Sequence, residues 1–210
     1  EVIARVLEQT APLVFFTLFG FFHFSFFDKG DFVIWLNNHH SALSDVFFKY
    51  ATYLGDGKFT AVIAVLLLLY RPYWFIQFLT AVLSNAITIY ILKREIFNFD
   101  RPLRALSHIK PVTVADVEIH EIYSFPSGHT NSIFVLGIIM TLLLKNQKWG
   151  IFFFILAMAT AVSRMYLFQH FFMDVYAGAL VGVILSILTF YWLDQSNLKN
   201  KPRLQKSLFS

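Results

Sequence analysis

The residues best suited to chemistry lie in three short segments, each beside an apolar run. In the last of these, Ser163 and Arg164 are followed by His170 and Asp174. His170 and Asp174 are four positions apart, and on a helix such residues share a face, so the carboxylate can orient the imidazole. This is the arrangement expected of an activated histidine nucleophile.

The middle segment reads Pro126-Ser127-Gly128-His129 and opens another apolar run. The first backbone N–H groups of a helix lack internal partners, and they carry the positive end of the helix dipole. Gly128 allows an anion to approach, and Ser127 adds a hydroxyl, so the segment predicts a phosphate cradle. Taken alone, a serine at this position is more often a helix cap.

Guanidinium groups accompany both segments. Arg94, Arg101 and Arg164 can each hold phosphate oxygens with two parallel hydrogen bonds, and they stay charged at any working pH. Beside them, one neutral imidazole could attack phosphorus while a protonated one supplies the leaving oxygen with a proton. His170 suits the first task and His129 the second.

The composition predicts that membrane-spanning helices position these segments. Of the 210 residues, 57% are hydrophobic and 14% are charged, where about 25% charged is usual for a soluble domain. A span needs roughly 17 to 20 apolar residues. The predicted spans are 11–27, 58–70, 73–92, 129–144, 149–162 and 174–193.

We therefore predict an all-α, six-span bundle forming one domain, 1–210, with a long extramembrane loop at 93–128 and a basic tail at 194–210. Six spans put the loop and the 163–173 turn on one face. The basic residues of the opposite loops and tail favour the cytoplasm for that opposite face. The site is then expected near the non-cytoplasmic face. Scattered basic residues argue against nucleic acid and favour the bilayer as the anionic neighbour.

The three segments together resemble the type-2 phosphatidic acid phosphatase superfamily, whose signatures are Lys-x6-Arg-Pro, Pro-Ser-Gly-His and Ser-Arg-x5-His-x3-Asp. The second is complete at 126–129 and the third at 163–174. The first departs from the pattern. Counting back from Arg101, its lysine position holds Arg94, and Lys93 lies one residue earlier, so either residue could take that role.

The resemblance implies a phosphatase that needs no metal or other cofactor. His170 would form a phosphohistidine, His129 would protonate the leaving group, and Asp174 would orient His170. The residues implied to grip phosphate are Lys93, Arg94, Arg101, Ser127, Gly128 and Arg164. A metal site among His108, Asp116, Glu118, His120 and Glu121 is the alternative for the loop, but their spacing is not that of a ligand set.

The expected substrate is a membrane lipid phosphate or diphosphate, with undecaprenyl diphosphate (a polyprenyl diphosphate) and phosphatidylglycerophosphate favoured. Phosphatidic acid and lipid A phosphates stay open. The alternatives are a phosphotransferase that uses the same histidine and, less favoured, a non-catalytic phospholipid binder. The resemblance also implies a multi-pass protein of the cell (inner) membrane whose site faces the periplasm or cell exterior. The oligomeric state is left open by the sequence.

Overall fold

The computed structural model describes residues 30–207, and all regular elements in this part of the chain are helical. The predicted span at 11–27 lies outside the described residues. The helices are α1 (Asp31–Asn38), α2 (Ala42–Ala51), α3 (Gly57–Tyr70), α4 (Pro72–Ile91), α5 (Pro102–Ala105), α6 (Gly128–Leu144), α7 (Gln147–Tyr166), α8 (Phe172–Asp194) and α9 (Pro202–Gln205). The all-α prediction is confirmed, and five of the predicted spans correspond to α3, α4, α6, α7 and α8.

Three of the described helical segments are long and apolar enough to cross a membrane: Pro72–Ala105, Gln147–Tyr166 and Phe172–Asp194. A fourth is obtained if Ala42–Gly55 and Gly57–Tyr70, which are bent by 54° at their junction, count as one span. Helix α6 is apolar but only 17 residues long. These helices are those of a membrane protein, while the predicted total of six spans is not established by them.

Helix α6 is the central element of the bundle. Its side chains are buried on every face, and Ile133, Phe134 and Ile138 have no exposed surface. It packs against α4, α7 and α8. A helix that is apolar all round is stable only inside other protein or lipid. Helix α6 is therefore the buried centre against which the helices that carry the other signature segments pack.

Small residues on α8 allow it to contact α6 closely, as their spacing in the sequence predicts. A Cβ at Gly178 would overlap the carbonyl oxygen of Ser127, and one at Gly182 would lie 3.0 Å from the carbonyl oxygen of Asn131. Asn131 also donates from Nδ2 to Asn85 Oδ1 (2.9 Å) and to the Gly178 carbonyl (3.2 Å). Close packing and buried amide hydrogen bonds of this kind hold helices together in lipid.

A 3₁₀ turn at Thr52–Gly55 joins α2 to α3 and packs on the start of α6. A Cβ on Gly55 would lie 2.5 Å from the carbonyl oxygen of His129, so only glycine permits this approach. The turn therefore brings its polar residues to the same end of the bundle as the Pro-Ser-Gly-His segment.

Candidate active site

All three signature segments meet at one end of the bundle, around a cavity of about 420 Å³. The middle segment begins α6, and the last connects the end of α7 to the start of α8. The first lies between the end of α4 and α5. The cavity wall is formed by Thr52, Tyr53, Asp56, Lys93, Arg101, Asp116, Val117, Glu118, His120, Gly128, His129, Arg164, Gln169 and His170. Arg94 and Ser127 are not among these lining residues.

His170 is buried and held by Asp174. Its Nδ1 lies 3.3 Å from Asp174 Oδ2, and the two side chains are 1% and 5% exposed. An ionised carboxylate only accepts hydrogen bonds, so Nδ1 carries the proton. His170 borders the cavity, and in the neutral imidazole its other ring nitrogen, Nε2, then carries no proton. This is the state that a nitrogen nucleophile requires.

Asp174 is fixed in turn by hydrogen bonds that reach beyond His170. The same oxygen, Oδ2, accepts from the backbone N–H of Phe171 (2.8 Å) and from the Ser124 hydroxyl (2.5 Å). The carbonyl oxygen of Asp174 also accepts from the N–H of Ser127 (2.8 Å). The second and third signature segments are therefore joined directly, and the orientation of the imidazole depends on both.

Burial holds the pKa of His170 well below its usual value, and the neighbouring cations Arg101, Lys93 and Arg164 lower it further. His170 lies in the connection between α7 and α8. Its imidazole is therefore neutral over the physiological range, which agrees with the geometry at Nε2.

Three cations border the cavity without a carboxylate partner in residues 30–207: Lys93, Arg101 and Arg164. Arg164 is 6% exposed, and its Nη1 donates to Thr52 Oγ1 (2.6 Å). Its Nε is buried and has no hydrogen-bond partner in the described part of the chain. Arg101 and Arg164 are buried and Lys93 is half-buried, and cations taken out of water without counter-charges are costly and mark a functional site in a membrane protein. An anionic ligand would satisfy all three.

Arg101 is held by groups that the sequence analysis did not single out. Its Nη1 donates to Gln169 Oε1 (3.0 Å), and its Nε donates to the carbonyl oxygen of Ile122 (2.9 Å). Gln169 also donates from Nε2 to the carbonyl oxygen of Glu118 (2.7 Å). Gln169 thus connects the Arg101 guanidinium to the loop. Its position immediately before His170 is the one feature of the sequence that could have indicated a role at the site.

The first signature departs from the family pattern by one residue, and a π-helical turn accommodates that residue. Residues Leu92–Phe97 form π-helix, with the N–H of Asn98 donating to the carbonyl oxygen of Lys93 (3.2 Å). A π turn inserts an extra residue into a helix and rotates the side chains beyond it, and such turns are frequent at functional sites. The extra residue lies between Lys93 and Arg101, and with the π turn in between both side chains border the cavity.

Arg94 points away from that cavity. Its guanidinium carbon lies 4.5 Å from the ring centroid of Tyr123 and 5.8 Å from that of Tyr90, as in cation–π contacts. Of the two candidates for the lysine position, the one that borders the cavity is Lys93.

Ser127 caps α6, the alternative recognised from sequence. Its Oγ accepts from the N–H of Thr130 (3.4 Å) and from the Thr130 hydroxyl (3.0 Å), and the residue is fully buried. Gly128 contributes backbone to the cavity wall. The hydroxyl therefore shapes the helix start, and the residues of this segment that border the cavity are Gly128 and His129.

The segment 111–122 is irregular, with a turn at 115–116, and it contributes part of the cavity wall. Asn37 pairs with both backbone groups of Val112 at 2.9 Å, and Lys49 bonds to Asp116 Oδ2 at 2.9 Å. With the contact of Gln169 to Glu118, these bonds attach the segment to α1, α2 and the α7–α8 connection. Within residues 30–207 there is no group of three or more acidic, histidine or cysteine side chains placed to hold a metal.

The sequence pattern of the PAP2 superfamily matches residues 74–198. The chain therefore belongs to the PAP2 superfamily, a class of membrane phosphatases that act on lipid phosphates.

Among curated proteins, the chain is 40% identical over 73 residues to the bacitracin transport permease protein BcrC of Bacillus licheniformis. That alignment spans 34% of this chain and 35% of the relative, so the match covers about a third of each.

Two solved structures share the fold. LpxE of Aquifex aeolicus has a TM-score of 0.67 and 26% identity over 79% of this chain and 97% of its own. A PAP2-type phosphatidylglycerolphosphate phosphatase of Bacillus subtilis has a TM-score of 0.61 and 20% identity, and the match covers 93% of this chain and 98% of its own.

Proposed function

We propose that this protein hydrolyses a membrane lipid phosphate or diphosphate ester through a phosphohistidine on His170. The observation that carries the proposal is the buried guanidinium of Arg164, whose Nε lacks a partner in the described residues, in the same cavity wall as His170. A phosphate bound there would accept from Arg164 and neutralise Lys93 and Arg101. It would also present its phosphorus to Nε2 of His170.

The reaction proceeds in two steps. Nε2 of His170 attacks the terminal phosphorus, and the bond from that phosphorus to the leaving oxygen breaks. The leaving oxygen is the lipid alkoxide oxygen of a monoester or the bridging oxygen of a diphosphate, and His129 gives its proton to it. Water then attacks the phosphohistidine, and His129 takes the water proton as inorganic phosphate leaves and His170 is restored. Asp174 keeps the proton of His170 on Nδ1 throughout, while the cations stabilise the charge on the equatorial oxygens.

A second cavity, of about 350 Å³, supports an apolar substrate tail. It lies between α3, α4 and α6 and shares Lys93, Gly128 and His129 with the site. Its other walls are mainly apolar and include Val82, Ala86, Ile89 and Val135. A lipid with its phosphate among the cations could lay the first part of its chain in this groove, where burial of apolar surface is favourable.

We further propose a six-span topology in the inner membrane, with this end of the bundle facing the periplasm or cell exterior. Polyprenyl diphosphates and phosphatidylglycerophosphate are the favoured substrates. The activity of the Bacillus subtilis phosphatase supports the second of these by analogy of fold alone.

The test is phosphate release by purified protein in detergent with EDTA. The substrates are undecaprenyl diphosphate, phosphatidylglycerophosphate and phosphatidic acid. We expect release from at least one, absent in His170→Ala and present in His108→Ala, a histidine of the exposed loop outside the cavity. Dependence of activity on added divalent metal would contradict the proposed mechanism, and turnover only with an added alcohol acceptor would identify a transferase.

A further inference from the structure

Asp56 is a carboxylate at the cavity that none of the family signatures includes. Its Oδ2 lies 4.0 Å from Nε2 of His129, and the two side chains are 37% and 34% exposed. The separation is longer than a hydrogen bond. The carboxylate therefore acts on the ring through its charge and leaves the N–H free to donate elsewhere.

The position of Asp56 is fixed by its role as N-cap of α3. Its Oδ1 accepts from the N–H of Lys58 (2.7 Å), and its carbonyl oxygen accepts from the N–H of Thr60 (3.1 Å). The preceding Gly55 contacts the carbonyl of His129 directly. Capping thus occupies one carboxylate oxygen, and the packing of the turn on α6 directs the other toward the imidazole.

The cations around His129 disfavour the protonated imidazole that a general acid requires, and a nearby carboxylate offsets them. The titratable and charged side chains that border the cavity with it are Tyr53, Asp56, Lys93, Arg101, Asp116, Glu118, His120, Arg164 and His170. Lys93, Arg101 and Arg164 all disfavour a second positive charge on an imidazole. Asp116 is paired with Lys49, and Glu118 lies 3.7 Å from His120. Among the described residues, Asp56 is the carboxylate within 4.0 Å of His129.

We infer that Asp56 is a positioning residue that stabilises the protonated form of His129 when this histidine acts as general acid. The inference rests on the proposed phosphatase function. With the phosphate bound, the three cations are largely neutralised by the substrate, and Asp56 supplies the negative charge that keeps the proton on His129 until the leaving oxygen takes it. The same charge favours the return of a proton from water in the second step.

The test is Asp56→Asn, which keeps an amide oxygen to cap α3 and removes the charge. Steady-state kcat/KM is measured for phosphatidic acid, whose alkoxide leaving group needs a proton, and for p-nitrophenyl phosphate, whose phenolate does not. We expect kcat/KM to fall roughly tenfold for the alkyl ester and less than about twofold for the aryl ester. The alkaline limb of the rate profile should also move to lower pH.

The matched control is Asp194→Asn, which removes a carboxylate at the last residue of α8, the opposite end of that helix from the cavity, and should leave kcat/KM for both substrates unaffected. A second variant, Asp56→Ser, keeps a capping oxygen by another route and should reproduce the selective loss. Equal losses on the two esters, or none, would overturn the role of Asp56 alone. If the unmodified protein releases phosphate from neither of these esters, nor from undecaprenyl diphosphate or phosphatidylglycerophosphate, the proposed phosphatase is overturned, and this inference with it.

Discussion

His170 and His129 border the same cavity, but their surroundings differ. The His170 ring is 1% exposed, and the carboxylate oxygen beside its Nδ1 also accepts from a backbone N–H and from Ser124. The His129 ring is 34% exposed, and its carboxylate neighbour lies 4.0 Å from Nε2 without hydrogen-bond contact. A nucleophile must keep one tautomer and one direction, whereas an acid must exchange protons with solvent. Their surroundings match this division of work.

The largest expected effect is at His170. His170→Ala should reduce kcat by at least about 10³-fold for alkyl and aryl phosphates alike, because no leaving group replaces an absent nucleophile. His129→Ala should be comparably damaging only for the alkyl ester. Acid-labile, base-stable phosphate bound to the protein during turnover provides the direct measurement. Labelling retained in His170→Ala would reverse the assignment of the two histidines.

A loss of about 10²-fold is expected for Lys93→Ala, since this residue borders the cavity while its neighbour does not. Arg94→Ala should change kcat/KM by no more than a few-fold, because its guanidinium packs on tyrosine rings. The pair is matched in charge and adjacent in sequence. Equal losses at the two positions would contradict the orientation set by the π-helical turn.

Replacing each carboxylate by an amide compares the His170–Asp174 pair with the His129–Asp56 pair directly, through the loss of kcat in each variant. Asp174→Asn should reduce kcat about 10²-fold or more for both esters, because the amide can no longer fix the tautomer of His170. This loss should exceed that caused by Asp56→Asn, because the Asp56 carboxylate influences His129 only by its charge and not by a hydrogen bond. Kinetics of both variants on the two esters, with folding checked by thermal melting in detergent, would show whether hydrogen bonding explains the difference.

The lowered pKa of His170 should affect how both the stability of the fold and kcat/KM depend on pH. The unfolded chain takes up a proton near the ordinary imidazole pKa of about 6.5, while the folded protein does so only well below it. The His170 contribution to stability is therefore complete above about pH 6.5 and declines as pH falls below it. The nucleophile stays neutral there, so the acid limb of kcat/KM should begin below pH 6.5. A His170-dependent limb above neutrality would contradict this.

The smallest effect is expected at Ser124, which supports Asp174 from the loop. Ser124→Ala removes one hydrogen bond to the carboxylate and should cost about 1 kcal/mol of stability with a few-fold loss in kcat. Thermal melting and kinetics measure both. Ser186→Ala is the control, because the buried Ser186 hydroxyl of α8 has no hydrogen-bond partner among the described residues and its removal leaves Asp174 untouched.

Much of the fold was predictable because the signals are local. Apolar runs broken by Arg71-Pro72 or by Lys145–Lys148 predicted α3, α4, α6, α7 and α8 to within a few residues. The spacing of His170 and Asp174 likewise predicted their contact, since a four-residue interval at a helix start leaves little freedom. Burial could not be predicted in this way, because it depends on how α6 and α8 pack, and it is burial that determines the protonation of His170.

By itself, the sequence determined the all-helical class, the family signatures and the identity of the groups available for chemistry. The tertiary structure decided which of them meet. It placed Lys93 and not Arg94 at the cavity through a π-helical turn, placed Gln169 between Arg101 and the loop, and brought Asp56 to His129 across more than seventy positions of sequence. The physical reason is that each of these contacts depends on helix rotation and on the approach of distant segments. Neither is encoded in local spacing.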